Sequence, residues 1–196
     1  MWAGKWLIDT HNGYSNTPPI NVDLYPMVKS HLDKHFEKLE KRLDKGMTPY
    51  NLRNCAYHDK FFENKIIYPR MNPKGIFAFD KNGMILNDSL IMLIGSKLHY
   101  LLGVLNSNLI GWYISKIAPT IGKGNIVGKV YLETIPIPIV SKKITTETNL
   151  LVEEALTITS HQSNWEIETQ MNNLLFEFHG LSKKEIDIVN SDLVNL

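Results

Sequence analysis

The chain has 196 residues, 43% of them hydrophobic, which suits one medium domain with a real core, or one domain with a helical appendage. Its apolar runs all fall short of the roughly 20 residues that span a bilayer, so a membrane-spanning helix is excluded. The formal net charge of +1 conceals a division: residues 1–140 hold 17 Lys/Arg against 11 Asp/Glu, while 141–196 hold 4 against 9. A net of +6 on the first part and −5 on the second raises the expectation of a polyanionic partner for the first, the ordinary alternative being surface lysines.

In chain order, the start is irregular. Residues 1–12 carry Lys5 and Asp9 and no long apolar centre, which argues against a signal peptide. A short strand is expected at Lys5–Ile8. His11-Asn12-Gly13 and Pro18-Pro19 then break any long element. Next comes an amphipathic helix with Asp23 as its cap, because Val28, Leu32, Phe36, Leu39 and Leu43 recur at helical steps. Gly46 stands where a left-handed residue would end it.

Residues 48–95 read as β-rich, with strands at Lys65–Pro69, Gly75–Asp80 and Ser89–Ile94 and a hairpin-type turn at Lys81-Asn82-Gly83. Residues 97–118 predict one helix of about five turns, apolar nearly all round. A loop with Gly122, Lys123, Gly124, Asn125, Gly128 and Lys129 follows. Pro136 and Pro138 cannot donate in a ladder, so 130–140 ends as an edge strand or an extended connector. A helical region is expected from Thr145–Glu147 onward. Ser163-Asn164-Trp165-Glu166 and Ser182-Lys183-Lys184-Glu185 are capping boxes for the last two helices, the first running to His179 before Gly180. The expected class is mixed α/β, of α+β type, with a small mixed or antiparallel sheet, packed helices and C-terminal helices. The expected divisions are 1–46, a connector with its helix; 47–140, the sheet-bearing domain; and 141–196, a helical region.

Catalytic signatures are scarce. GxSxG, Walker A and GxGxxG patterns are absent, and Gly122-Lys123-Gly124 does not lie between a parallel strand and a helix. The single cysteine, Cys55, excludes an internal disulfide and a cysteine zinc site and makes a cytosolic setting the default. The seven histidines show no metal-ligand spacing. Asp59, Glu63 and Lys65 leave open a nuclease of the carboxylate-x-lysine kind. Elimination favours a binding module over an enzyme.

Two stretches carry the chemistry that duplex DNA needs. In the glycine loop, backbone N–H groups can approach phosphates, Lys123 and Lys129 can neutralise them, and Asn125 can address a base edge. In "TPYNLRNCAY" (48–57), Arg53 can fork onto guanine, Asn51 can pair with adenine, and Tyr50 can stack or contact sugar. Arg70 and Lys116 are further candidate contacts. The competing reading is a surface turn with incidental lysines and an ordinary strand with one exposed arginine.

Together these segments resemble a known family. "WLIDTHNGY" and the 18–57 stretch, "LLGVLNSNLIGWYI", the glycine–lysine loop, "YLETIPIPI" and "MNNLLFEFHGLSKKEIDIV" occur in the order seen in the TaqI-like C-terminal specificity domain. That domain belongs to type II restriction–modification enzymes that join methyltransferase and endonuclease on one polypeptide. The resemblance implies a target-recognition fold that binds double-stranded DNA, attached to a methyltransferase and nuclease region, in a bacterial cytoplasm. It implies an adenine-methylating parent that uses S-adenosylmethionine and magnesium, with neither cofactor in this chain. The family's NPPY motif has no counterpart: Asn16-Thr17-Pro18-Pro19-Ile20 lacks its order and its aromatic residue. The expectation is therefore recognition without catalysis. Half of a type I specificity subunit and a stand-alone protein-interaction module remain as alternatives.

Overall fold

The computed structural model describes residues 6–72, 75–121, 124–158 and 165–194. Backbone contacts divide the chain into two units, Met1–Phe61 and Phe62–Leu196.

In the first unit residues 6–8 form no strand. A turn of 3-10 helix at Val22–Leu24 is capped by the Asn21 side chain, which accepts the Asp23 N–H at 3.1 Å. Asp23 does not cap the helix: Asn21 caps this turn, and the helix that follows begins after Tyr25 with no side-chain cap. The expected single helix is two: α1, Pro26–Asp33, with proline at its first position, and α2, Phe36–Lys41. Neither buries a residue, and short helices take most of their stability from a buried face, so nothing holds them as one rod. Gly46 is not left-handed. It is needed because a Cβ there would collide with the Leu52 carbonyl and the Asn12 side chain, where 10–12 and 45–52 lie against each other through Leu52 N–H to Thr10 O (2.9 Å) and Met47 N–H to Asn12 Oδ1 (2.6 Å).

The interior of this unit is polar and aromatic. The Tyr14 and His58 rings stack at 4.2 Å, His11 meets Tyr14 edge-on at 4.8 Å, and His58 Nε2 lies 2.9 Å from an Asp9 carboxylate oxygen. Burial holds His11 below its ordinary pKa, against the smaller upward pull of Asp9.

The second unit is a mixed α+β fold. Strands β1 (Lys65–Pro69), β2 (Ala78–Asp80) and β3 (Leu90–Leu93) make an antiparallel sheet in the order β2-β1-β3. The register sets Ile66 opposite Phe79 and Leu93. Because β2 and β3 both pair with β1, the turn at 81–83 joins the two edges of the sheet and is not a hairpin. Gly83 is left-handed there (φ +70°), and Asp80 closes the turn by accepting the N–H groups of Asn82 (2.8 Å) and Met84 (2.9 Å).

The apolar stretch 97–118 is also two helices, α3 (Leu98–Leu105) and α4 (Asn108–Ile117). Ser107 restarts the chain, its hydroxyl accepting the Ile110 N–H while Asn106 turns its amide onto both backbone groups of Phe77 at 2.9 Å. A short pair, β4 (Thr120–Ile121) and β5 (Gly124–Asn125), precedes helix α5 (Lys129–Leu132). The Pro136–Pro138 segment forms no strand. It is an extended connector, held where the Tyr100 hydroxyl donates to the Pro138 carbonyl at 2.7 Å.

Helices α6 (Lys142–Thr157), α7 (Trp165–Phe178) and α8 (Lys183–Val194) complete the unit. They are not a separate layer beyond residue 140: Val152, Met171 and Leu175 share one core with Ile66, Tyr68 and Val104. At Gly103 a Cβ would lie 2.9 Å from Met171 and Thr148 side-chain carbons, so glycine is what lets α6 and α7 approach α3. The second capping box forms as expected, with Ser182 N–H on the Glu185 carboxylate (2.7 Å) and Glu185 N–H on the Ser182 hydroxyl (3.4 Å). Ser163 of the first lies outside the described residues. Among the described residues no helix is long and apolar enough to cross a membrane.

Beneath the sheet lies an ion pair without exposure, Lys65 Nζ on an Asp80 carboxylate oxygen, the two residues facing each other in the β1–β2 register. Burial alone would raise the Asp80 carboxyl, yet the Lys65 bond and the two turn N–H groups together bring it below its ordinary value. Lys65→Met, which strands that carboxylate, is expected to destabilise the chain by about 3–5 kcal/mol in urea unfolding, and adding Asp80→Leu should restore much of the loss. Since the folded pKa is the depressed one, the pair's contribution is present above the ordinary carboxylate range and fades as pH falls through it. The wild-type but not the double variant should show that acid-linked loss.

Candidate nucleic-acid interface

The carboxyl end of β1 is a junction of three segments. Arg70 follows the strand directly. Its N–H donates to Ser89 O at 2.8 Å, continuing the β1–β3 ladder beyond Pro69↔Leu90. Its carbonyl accepts the Val127 N–H at 3.0 Å, and Met71 bridges to Ile126. The β4–β5 pair, Thr120↔Asn125 and Ile121↔Gly124, is therefore fixed beside Arg70, with Val127 buried as its anchor. The Arg70 side chain is exposed. Among the described residues no carboxylate pairs with it, so the guanidinium keeps its full charge and its fork of donors. Behind it the Tyr68 hydroxyl is buried without a hydrogen-bond partner among the described residues; burial pushes it up to about 12, against the opposing pull of the Arg70 charge.

The other expected contacts on this unit fare differently. Lys129 opens α5, and its ammonium lies 3.5 Å from Glu133. That pair is solvent-exposed on both sides and worth well under 1 kcal/mol, so phosphate can compete for the lysine. Lys116 is already engaged within the fold. Its ammonium sits 2.8 Å from an Asp192 carboxylate oxygen and 5.5 Å above the Trp112 ring, and Trp112 Nε1–H donates to the same oxygen at 2.9 Å. The hydrogen bonds from Lys116 and Trp112 hold the Asp192 carboxyl below its ordinary value. Lys116 thus joins α4 to α8, and its charge is already shared with Asp192. Lys123 lies outside the described residues, and for Asn125 only the backbone place in β5 is described.

Tyr50, Asn51 and Arg53 belong to the first unit. Tyr50 is a clamp: its hydroxyl donates to Asp33 at 2.6 Å and accepts from Lys29 at 3.2 Å, with the Phe36 ring 5.5 Å away. It is not a free stacking platform. Asn51 is likewise engaged within the fold. Its side chain is 1% exposed, Nδ2 donates to the carbonyls of Ile20 (3.0 Å) and His11 (3.3 Å), and Oδ1 accepts from the Thr48 hydroxyl (2.6 Å). Such an amide has no edge left for a base. Arg53 is exposed, with no acid paired to it among the described residues, in a segment steadied by Asn12 donating to Asn54.

Lys65, weighed above as part of a nuclease centre, is instead buried against Asp80. No group of three His, Cys, Asp or Glu placed to hold a metal ion occurs among the described residues. The residues missed by sequence reasoning are Asn87 to Ser89, the turn before β3. Asn-Asp-Ser is a turn signal, but its place beside Arg70 follows only from the strand register.

A model of the TaqI-like C-terminal specificity domain matches residues 23–137. The chain belongs to that family. Membership gives it a DNA-recognition role in restriction–modification enzymes. The match spans both stretches that carry the candidate contacts, from Tyr50 to Lys129. No curated protein matches the chain.

Two substitutions in this specificity domain separate structure from contact. Asn51→Ala removes a buried amide that ties the Ile20 and His11 carbonyls to Thr48 and should cost about 1–3 kcal/mol of stability, measured by thermal unfolding. Arg53→Ala, at an exposed site, should stay within about 0.5 kcal/mol of wild type.

Proposed function

We propose that this chain reads the target sequence for a restriction–modification enzyme and does no bond-making or bond-breaking itself. The catalysis belongs to a methyltransferase and nuclease region on which it acts as specificity part. The methyl donor and metal belong there too, the methylated base being adenine. The setting is the bacterial cytoplasm.

One observation carries the reading. Arg70 is pinned at the end of the central strand between the β4–β5 pair and the 87–89 turn, with a guanidinium that no described acid neutralises. A planar, charged fork of five donors on a backbone held by the ladder suits guanine's O6/N7 edge or a phosphate. Lys129 adds a second cation on the same connection, and family membership supplies the duplex as partner.

A fluorescence-anisotropy titration of a labelled random-sequence duplex at several salt concentrations tests this. Arg70→Ala should weaken binding. If Arg70 meets a phosphate, the salt slope should fall by about 0.9. If it meets guanine, discrimination at one position should fall by about 1–3 kcal/mol. Wild-type curves for both Arg70→Ala and Lys129→Ala would remove this surface from consideration.

A further inference from the structure

We propose that Asn87 is a specificity-determining residue on the same surface, reading a base through donors alone. This rests on the DNA-reading assignment above and extends it to a turn that assignment did not use.

Asn87 is exposed, and both lone pairs of its Oδ1 are engaged within its own turn: it accepts the Ser89 N–H at 3.1 Å and the Ser89 hydroxyl at 2.6 Å. The Leu90 N–H donates to the Asn87 carbonyl at 3.2 Å, closing the turn. Nδ2 has no partner among the described residues, so two N–H donors face solvent from a rotamer that Ser89 holds. The same Ser89 gives its carbonyl to the Arg70 N–H at 2.8 Å. The turn and the arginine are therefore parts of one rigid ladder end.

An amide in this state cannot make the bidentate adenine contact, which needs Oδ1 to accept from N6 while Nδ2 donates to N7. It can meet only acceptors: the N7 of either purine, guanine O6, thymine O4, or a phosphate oxygen. The neighbouring Asp88 decides among them. Its carboxylate is exposed and repels a phosphate while tolerating an uncharged base edge. The class of ligand is a base edge that offers the amide an acceptor in the major groove, a purine N7, guanine O6 or thymine O4.

The test enriches a randomised duplex pool on the full chain, as wild type, Asn87→Asp and Arg70→Ala, and sequences the bound fraction. Aspartate keeps the oxygen that Ser89 binds and removes both donors. The expected result is a loss of base preference (for guanine, thymine or a purine) at one position, roughly 2- to 13-fold as for a single hydrogen bond, with other positions unchanged. If Asn87→Asp keeps the wild-type preferences, or lowers affinity equally for all sequences, while Arg70→Ala weakens binding, the inference is overturned and the DNA reading stands. If neither variant differs from wild type, the DNA reading of this surface falls with it. Should Asn87→Asp fail to fold, Asn87→Ser, which retains an oxygen for the turn and drops the amide, is read by the same outcomes.

Discussion

The candidate surface depends on the central strand. β1 is paired along both edges, and its first residue is a lysine with no exposure, matched to Asp80 across the sheet. A buried ion pair is tolerable only when its remaining hydrogen-bond capacity is filled. Here the carboxylate takes two backbone N–H groups from the following turn as well as the ammonium. Strand slippage by one residue would place Lys65 opposite Phe79 or Lys81, separating it from Asp80 in either case, so the pair pins the register. The same register brings Arg70 out of the ladder level with Ser89 on one side and Val127 on the other. A charge buried at one end of the strand thus sets where a charge is presented at the other.

The helices after residue 140 explain why a count of lysines overstates the basic surface. They carry the acidic excess of the sequence, and one of their carboxylates, Asp192, takes the Lys116 ammonium and the Trp112 indole together. Part of the positive charge of residues 1–140 is therefore spent in folding. What remains beside the β4–β5 pair is more local: Arg70, which has no acid partner among the described residues, and Lys129, held only by a solvent-exposed neighbour. The same helices fill the core through Val152, Met171 and Leu175. Their removal would uncover the helix α3 on which the sheet rests.

The first unit uses another kind of interior. Its turns are closed by Asn51, by the Tyr50–Asp33–Lys29 network and by the Tyr14–His58 stack, with helices that bury nothing. Polar residues in a turn-rich segment are easily mistaken for contacts because the same groups that read a base also satisfy backbone carbonyls. Asn51 is that case. Arg53, which has no such partners, stays available.

The sequence by itself determined the α+β class, the three strands, the second capping box and the family, because these rest on local periodicity, turn chemistry and the order of motifs along the chain. It could not show that residues 97–118 break at Ser107, since an apolar run reads alike whether or not a side chain caps it midway. It could not separate Arg70 from Lys116, both of them basic residues near the same loop. Only the tertiary structure did that, by bringing Asp192 from 76 residues away to Lys116 and, among the described residues, no acid to Arg70. Pairing between distant residues leaves no periodic trace in a single chain, and that pairing decides which charges are left for a partner.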